Sequence, residues 1–207
     1  MKKLFLVIMA LALLLVTGCA KDSLSSQEQG SGYTVVDARG KKITFASAPK
    51  RIVCLNYSAT DILTDLIPTD RIIATDMWAR EEDLSNCYEK LKGIPVCENN
   101  PEQIMKFKPD IVILTDGRAN ELADTLDSVG IKTCVLRQPK TIQEIPDYIK
   151  IVGEVADNKA AANSLAEKVA AYLKDSTEGQ KIESVLLIHP NGGIGQKGSM
   201  PASICEA

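Results

Sequence analysis

The stretch NPEQIMKFKPDIVILTD, residues 100–116, contains both kinds of element from which the fold is predicted. Asn100 is a good helix N-cap, and Pro101 stands at the first helical position, where its missing N–H is not needed. The run Asp110–Thr115 is apolar without alternating polar residues, which is typical of a strand covered on both faces. A helix that leads directly into such a strand predicts a layered α/β structure.

The same pattern continues in both directions along the chain. Helix-like segments lie between further short runs rich in Ile and Val, and one of them has a capping box that starts at Ser58. Gly130 follows another helix, where it is suited to the left-handed conformation. Tyr33–Asp37 and Lys42–Phe45 predict a small hairpin before the sheet. Strands alternating with helices predict a parallel, Rossmann-like α/β lobe, with its other strands at Arg51–Leu55, Arg71–Thr75, Gly93–Val96 and Lys132–Leu136.

Two helical segments follow the predicted sheet, at Thr141–Ala156 and Lys159–Ser176. The second, at 1.5 Å per residue, spans about 27 Å, which is long enough to bridge two lobes. A further strand is predicted at Ser184–His189, and a helix pattern begins shortly before Ala207. The predicted organisation is therefore an N-terminal α/β lobe, a helical connector and the incomplete start of a second α/β lobe, at residues 33–140, 141–178 and 179–207 respectively.

The N-terminal residues have the pattern of an export signal. Lys2 and Lys3 precede the apolar run Leu4–Val16. The run is too short to cross a bilayer, because a helix needs roughly 20 residues to span the hydrocarbon core. Thr17-Gly18 before Cys19 resembles the bacterial lipoprotein box, which implies cleavage after residue 18, diacylation of Cys19 and an anchor on the outer face of the cell membrane. The alternative is an ordinary cleaved signal with an incidental cysteine. Residues 19–32, rich in Ser, Gln and Gly, predict a flexible tether.

The composition excludes several classes of protein. Twenty-four Lys and Arg against 27 Asp and Glu, a net charge of −3 and 4% aromatic residues argue against nucleic-acid binding. The apolar fraction of 45% excludes intrinsic disorder. The single histidine, His189, is best explained as a loop residue, and no metal site is predicted. Cys54 and Cys134 lie in apolar runs and are expected to be buried. The sequence leaves undecided whether Cys87 and Cys97 form a disulfide.

Three stretches together identify a family. Val36–Gly40 followed by Ala48–Val53 has the pattern D-x-x-G … P-x-R-I-V. Asn56–Asp61 occupies the position of a P-S-x-T-E helix start. Asn100–Ile113 is similar to the pattern N-x-E-x-I … K-P-D-L-V-I, with Ile111 in place of the leucine. On these residues the chain resembles the periplasmic binding proteins that serve ABC importers of ferric siderophores, haem and cobalamin. The resemblance implies two α/β lobes joined by one long helix, here Lys159–Ser176, with the ligand between the lobes. The second lobe of that family normally continues further, so the chain looks truncated.

Ligands of open α/β sheets lie beyond the carboxyl ends of the strands. That rule selects residues of three loops as candidate ligand contacts, namely Asn56, Tyr57, Ser58, Met77, Trp78, Asp116 and Arg118. Trp78, the only tryptophan, stands where the family has an aromatic ligand contact, although a partly exposed packing role is the alternative. Arg118 suits an anionic ligand group or is a solvated charge. Asn56 and Tyr57 either donate hydrogen bonds to the ligand or shape the turn.

Glu102 has a separate candidate role. A carboxylate in the first turn of a helix is favoured by the helix dipole, which is a sufficient structural explanation. The resemblance also implies that this position docks on the permease. The implied partners are thus an ABC permease and ATPase, the membrane through the lipid anchor, and a metal-chelate or corrinoid ligand.

The function implied by the resemblance is non-enzymatic capture and delivery of an iron complex or cobalamin, with no cofactor and no catalytic residues. One alternative is a nucleotide-dependent enzyme, because Gly193–Gly198 has the pattern G-x-G-x-x-G. The acidic residue expected about 20 positions later would lie beyond Ala207, which argues against it. The other alternative is a non-functional truncated paralogue that binds nothing.

Overall fold

A computed structural model describes residues 32–117, 119–177 and 198–206, without the side chains of 175–177, 205 and 206. These residues belong to one compact unit that starts at Ser31. The predicted signal, the lipidation site Cys19, the tether up to residue 31, the strand Ser184–His189 and residues 193–197 of the glycine-rich loop lie outside the described residues. None of the helices within the described ranges combines the length and the hydropathy of a membrane span.

The N-terminal hairpin is confirmed. Strands β1 (Tyr33–Val36) and β2 (Lys42–Phe45) pair antiparallel. Alternate side chains point inward, so that Val35, Ile43 and Phe45 are buried, and the Tyr33 ring stacks on Phe45 with centroids 4.8 Å apart. The alternation of apolar and polar residues therefore gave the right faces for these strands.

The parallel sheet is also confirmed. It consists of β3 (Ile52–Cys54), β4 (Ile72–Thr75), β5 (Ile111–Thr115) and β6 (Thr133–Leu136), in the order β4-β3-β5-β6. Nearly every residue of these strands is buried, as expected for a sheet covered on both faces.

The prediction of a strand at Gly93–Val96 is wrong. Only Val96 forms a bridge, to Thr75 of β4, and the chain then turns away. Pro95 has no N–H to offer to a ladder, and Gly93 has φ of +86°, which is incompatible with an extended strand. The segment is only partly covered beside β4, since Ile94 is half-buried and Val96 is 41% exposed.

The described helices are α1 (Tyr57–Leu66), α2 (Pro101–Lys106), α3 (Ala119–Ser128), α4 (Ile145–Val155), α5 (Lys159–Thr177) and α6 (Met200–Glu206). The cap of α2 is confirmed, because Asn100 Oδ1 accepts a hydrogen bond from the Gln103 N–H at 3.1 Å. The cap of α1 was predicted wrongly at Ser58. Asn56 has an extended backbone, and its Oδ1 accepts from the Ala59 N–H at 3.0 Å, so the helix begins before Ser58.

Helices α4 and α5 form a tightly packed pair whose connecting turn is held at three points. The Tyr33 hydroxyl donates to Val155 O at 2.9 Å, the Arg71 Nη2 donates to Ala156 O at 2.9 Å, and the Asn158 Nδ2 donates to Leu66 O at 2.6 Å. Ala162 and Ala166 of α5 are buried against the lobe, whereas residues 170–172 are exposed. The proximal half of α5 is thus part of the hydrophobic core.

The sheet separates two apolar clusters, and the cysteines are divided between them. Cys54, Cys87 and Cys134 lie in one cluster, whereas Cys97 lies in the other. All four are buried free thiols, which confirms the burial predicted for Cys54 and Cys134 and leaves Cys87 and Cys97 unbonded. Burial raises the pKa of the Cys54 thiol to about 12 and that of Cys97 to about 11, so both remain protonated and unreactive at neutral pH.

An ionic cluster fastens the hairpin to the edge strand β6. Arg39 donates to Asp37, to Asp127 and to the Thr133 hydroxyl, at 2.8, 3.2 and 2.8 Å. Burial alone would raise the pKa of Asp127, but hydrogen bonds from Lys41 and Thr133 and the charge of Arg39 outweigh it, and that pKa is lowered. The cluster therefore favours the ionised form of Asp127 in the folded protein.

Candidate functional site

The strand order creates a topological switch point between β3 and β5. From β3 the chain passes through α1 to β4 on one side, and β5 then lies on the other side of β3. The carboxyl ends of the strands meet at one edge of the sheet, where the Leu55 N–H donates to Ile113 O and the Asp116 N–H donates to Leu136 O, both at 2.9 Å. Ligands of open α/β sheets bind outside such a switch point. We call this the carboxyl edge.

The loop after β3 has one buried and one partly exposed candidate residue. Asn56 is 3% exposed, and its Oδ1 accepts from both the Ala59 N–H and the Gln138 Nε2, the latter at 3.1 Å. Its Nδ2 has no hydrogen-bond partner. Tyr57 is half-buried, and its hydroxyl donates to Leu84 O at 2.8 Å. Asn56 thus ties the loops after β3 and β6 together beneath the edge, while Tyr57 contacts the segment that follows β4.

The loop after β4 presents apolar side chains to the solvent. Asp76 Oδ1 accepts from the Ala79 N–H at 2.9 Å and so stabilises the single 3-10 turn Trp78–Arg80. Met77 is 50% exposed and Trp78 is 55% exposed. The turn therefore displays two large apolar residues at the carboxyl edge, next to the beginning of α1.

The remaining candidates lie at the same edge or outside the described residues. Ser58 is half-buried in the first turn of α1, and Asp116 is exposed directly after β5. Arg118 falls outside the described residues. Glu102 is exposed in the first turn of α2, which runs from the carboxyl end of β4 back toward the beginning of β5. The structure thus places the described candidates on one side of the lobe.

Carboxylates shape the electrostatics of this region. Burial raises the pKa of Asp76, although the N–H groups of Ala79 and Trp78 lower it in part. Burial also raises the pKa of the Tyr57 hydroxyl, and the negative charges of Asp61 and Asp76 raise it further. Within the described ranges no group of three or more His, Cys, Asp or Glu residues is arranged to hold a metal ion.

Two residues of this region were missed by sequence analysis. Gln138 follows β6 and bonds to Asn56, so the rule that selected the other loops would have found it if applied to the last strand as well. Leu84 is 57% exposed and lies beside Tyr57, but it belongs to an irregular segment without a periodic signal.

Comparison with known proteins assigns the family. A family model described as periplasmic binding protein matches residues 52–195, which is more than half of the chain. The chain is 26% identical over 183 residues to the uncharacterised ABC transporter substrate-binding lipoprotein YvrC of Bacillus subtilis, covering 83% of this chain and 56% of that protein. It is 25% identical over 142 residues to a cobalamin-binding protein of Halobacterium salinarum, covering 67% of this chain and 38% of that protein.

The fold is similar to that of solved structures as well. A protein of Staphylococcus epidermidis, described as a possible iron-binding periplasmic solute-binding protein, matches with a TM-score of 0.63 and 19% identity over 77% of this chain and 65% of that one. The chain spans about half of the Bacillus relative and less of the Halobacterium relative. The family resemblance inferred from the three sequence stretches is confirmed: the chain belongs to the periplasmic binding protein family.

Proposed function

We propose that the chain is the substrate-binding component of an ABC importer and holds a ferric siderophore, haem or cobalamin at its carboxyl edge. The observation that carries the proposal is the pair of exposed residues Met77 and Trp78 at the carboxyl edge of a lobe of this family. An indole face suits a flat or apolar chelate. The protein itself performs no chemistry, and partner subunits hydrolyse ATP.

Tryptophan fluorescence tests the ligand site directly, because Trp78 is the only tryptophan. Titration with ferric siderophores, haem and cobalamin is expected to change the emission of Trp78 with one of them. Trp78→Ala removes the fluorophore, so its affinity is measured by calorimetry; it should bind that ligand about tenfold more weakly, as expected for one lost aromatic contact. Val129→Ala is the matched control, because Val129 is 56% exposed but follows the far end of α3. A ligand that binds equally well to the Trp78→Ala variant would refute the site.

Glu102 is proposed to dock on the permease, as its exposed position at the carboxyl edge allows. Glu102→Ala should reduce association with the permease complex in a pull-down while ligand affinity stays unchanged. Glu154→Ala removes a partly exposed carboxylate, paired with Lys159, near the other end of the lobe and serves as the control. If Glu102→Ala instead lowers ligand affinity, the residue belongs to the ligand site and the docking role is wrong.

Helix α5 is proposed to join two lobes. Cys19 is proposed to carry the lipid anchor that holds the protein on the outer face of the membrane. The named relative of Bacillus subtilis is a lipoprotein, which supports the proposal. Cys19→Ser should abolish incorporation of labelled palmitate and release the protein from the membrane fraction. Retention of the label by the variant would contradict acylation at Cys19.

A further inference from the structure

The exposed apolar surface of the carboxyl edge is bordered by one turn of the chain. We call the set Tyr57, Met77, Trp78 and Leu84 the apolar rim. The turn closes with hydrogen bonds from the Leu84 and Ser85 N–H groups to Glu81 O, at 3.1 and 2.9 Å. Tyr57 then fixes the turn to α1 through Leu84 O. The side chains of residues 81–83 are thus held beside the apolar rim.

Those residues are Glu81, Glu82 and Asp83, and all three are exposed. Two further carboxylates belong to the same region, because Asp76 precedes Met77 and Asp61 follows Tyr57 by one helical turn. Among the described residues none of these five carboxylates forms an ion pair. Burial is the main cause that raises the pKa of the Tyr57 hydroxyl, and the charges of Asp61 and Asp76 raise it further.

The nearby cations of the described chain are turned elsewhere. Arg80 Nη1 donates to the carbonyl oxygens of Leu91 and Ile94, and its guanidinium lies 5.9 Å from the centre of the Tyr88 ring. Lys90 pairs with Asp65. Both side chains are therefore engaged by other groups of the described chain.

Arg137 is the exposed cation that follows β6. Strand β6 lies three places from β4, and a strand spacing of about 4.8 Å puts these ends about 14 Å apart. That separation exceeds the Debye length of about 8 Å at physiological ionic strength, so Arg137 offsets the carboxylates of the rim only weakly.

From this arrangement we infer that the segment after β4 makes the site favour an uncharged or cationic chelate over an anionic one, with Glu81, Glu82 and Asp83 as the residues that determine this selectivity. Arg118, the candidate contact for an anionic group, belongs to the loop after β5 and lies outside the described residues. The inference rests on the proposed function and narrows its substrate class. Carboxylates at the border of a site repel anions and attract cations, and they affect both the rate of encounter and the choice of partner.

The test uses pairs of ligands that differ in charge but share a core. The pairs are ferrioxamine B and its N-succinyl derivative, cyanocobalamin and its monocarboxylic acid, and haem dimethyl ester and haem. For the pair that binds, the member with fewer free carboxylates is expected to bind at least tenfold more tightly at low ionic strength. The ratio should shrink as salt is added, because these carboxylates are exposed.

Variants of the full chain test whether Glu81, Glu82 and Asp83 cause the difference in affinity between the two ligands. Replacing Glu81, Glu82 and Asp83 together by Gln, Gln and Asn should bring the two affinities to within about twofold. The control replaces Asp70, Glu154 and Glu167 by their amides, which removes the same charge away from the rim and should leave the ratio unchanged.

Two results would overturn the inference. One is an anionic member that binds as tightly as its partner, and the other is a ratio that the variant of the turn leaves intact. Binding of neither member of any pair would instead overturn the proposed function, and the inference would be lost with it. Far-UV circular dichroism of the variants confirms that they are folded.

Discussion

Adding a methyl group to α4 at Gly153, and then removing one from α5 at Ala162, tests how closely these two helices must pack. Gly153 is the point of closest approach, because a Cβ built there would lie 2.1 Å from Ala162 Cβ and 3.2 Å from Asn158 O. Carbon atoms in contact need about 3.5–4.0 Å. Gly153→Ala therefore forces the two helices apart by about 1.5 Å at this level, in a region where Ala162 and Val152 are fully buried.

The expected destabilisation is the difference between two opposing effects. Overpacking of a well-packed core costs about 1–3 kcal/mol, and the overlap here belongs at the upper end. Alanine in place of glycine inside a helix returns about 1 kcal/mol through helix propensity. The net loss should be about 1–2 kcal/mol, which lowers the melting temperature by roughly 2–8 °C for a domain of this size.

Urea denaturation followed by circular dichroism measures the effect, and a second substitution makes the test specific. Ala162→Gly alone should cost about 1 kcal/mol in helix propensity. Combined with Gly153→Ala it should restore stability to within about 1 kcal/mol of the parent, because one methyl group again occupies the contact. Ala171→Gly, on an exposed part of α5, should not rescue. A Gly153→Ala protein as stable as the parent would refute the reasoning.

Three further substitutions have expected outcomes. Lys108→Gly should stabilise the lobe by about 0.5–1 kcal/mol in urea denaturation, because Lys108 has φ of +47°, and a loss of stability would contradict this strain. Asn56→Ala should cost about 1–2 kcal/mol through the lost cap of α1, whereas an unchanged urea midpoint would show that the cap is dispensable. Since the pKa of Asp127 is lowered, its contribution is present above the unfolded pKa of about 3.9 and disappears as the pH falls through the folded value. Asp127→Asn should therefore destabilise the protein at pH 6 more than at pH 3, and an equal effect at both pH values would argue against the ionic cluster.

The sheet could be predicted from the sequence because its strands have no solvent-facing side. Strands β3, β5 and β6 are apolar except for Thr115 and Thr133, and such runs have few alternatives to a buried strand. Gly93–Val96 shows the limit of that reasoning. It is equally apolar, but whether Pro95 and Gly93 interrupt a ladder depends on where β4 lies, which is tertiary information.

The carboxyl edge was predictable in location but not in its contacts. The rule for open α/β sheets selects the loops after the strands, whatever their order. The bond between Asn56 and Gln138 requires β6 to lie beyond β5, and nothing local in the sequence fixes that order. Likewise, Leu84 meets Tyr57 only because an irregular segment folds back on α1, so no periodic pattern could place it there.

The carboxyl edge divides into a structural part and a variable part, and the division follows from burial. Asn56 and Gln138 join two loops beneath the surface, so a change at Asn56 removes a helix cap as well as a contact. Trp78 and Leu84, by contrast, are more than half exposed and lie on turns held by backbone hydrogen bonds. Substitution there changes what the surface attracts while removing little buried area. Selectivity for a ligand can therefore be altered in the segment after β4 without loss of the fold, which is why the variants of Glu81, Glu82 and Asp83 report on binding rather than on stability.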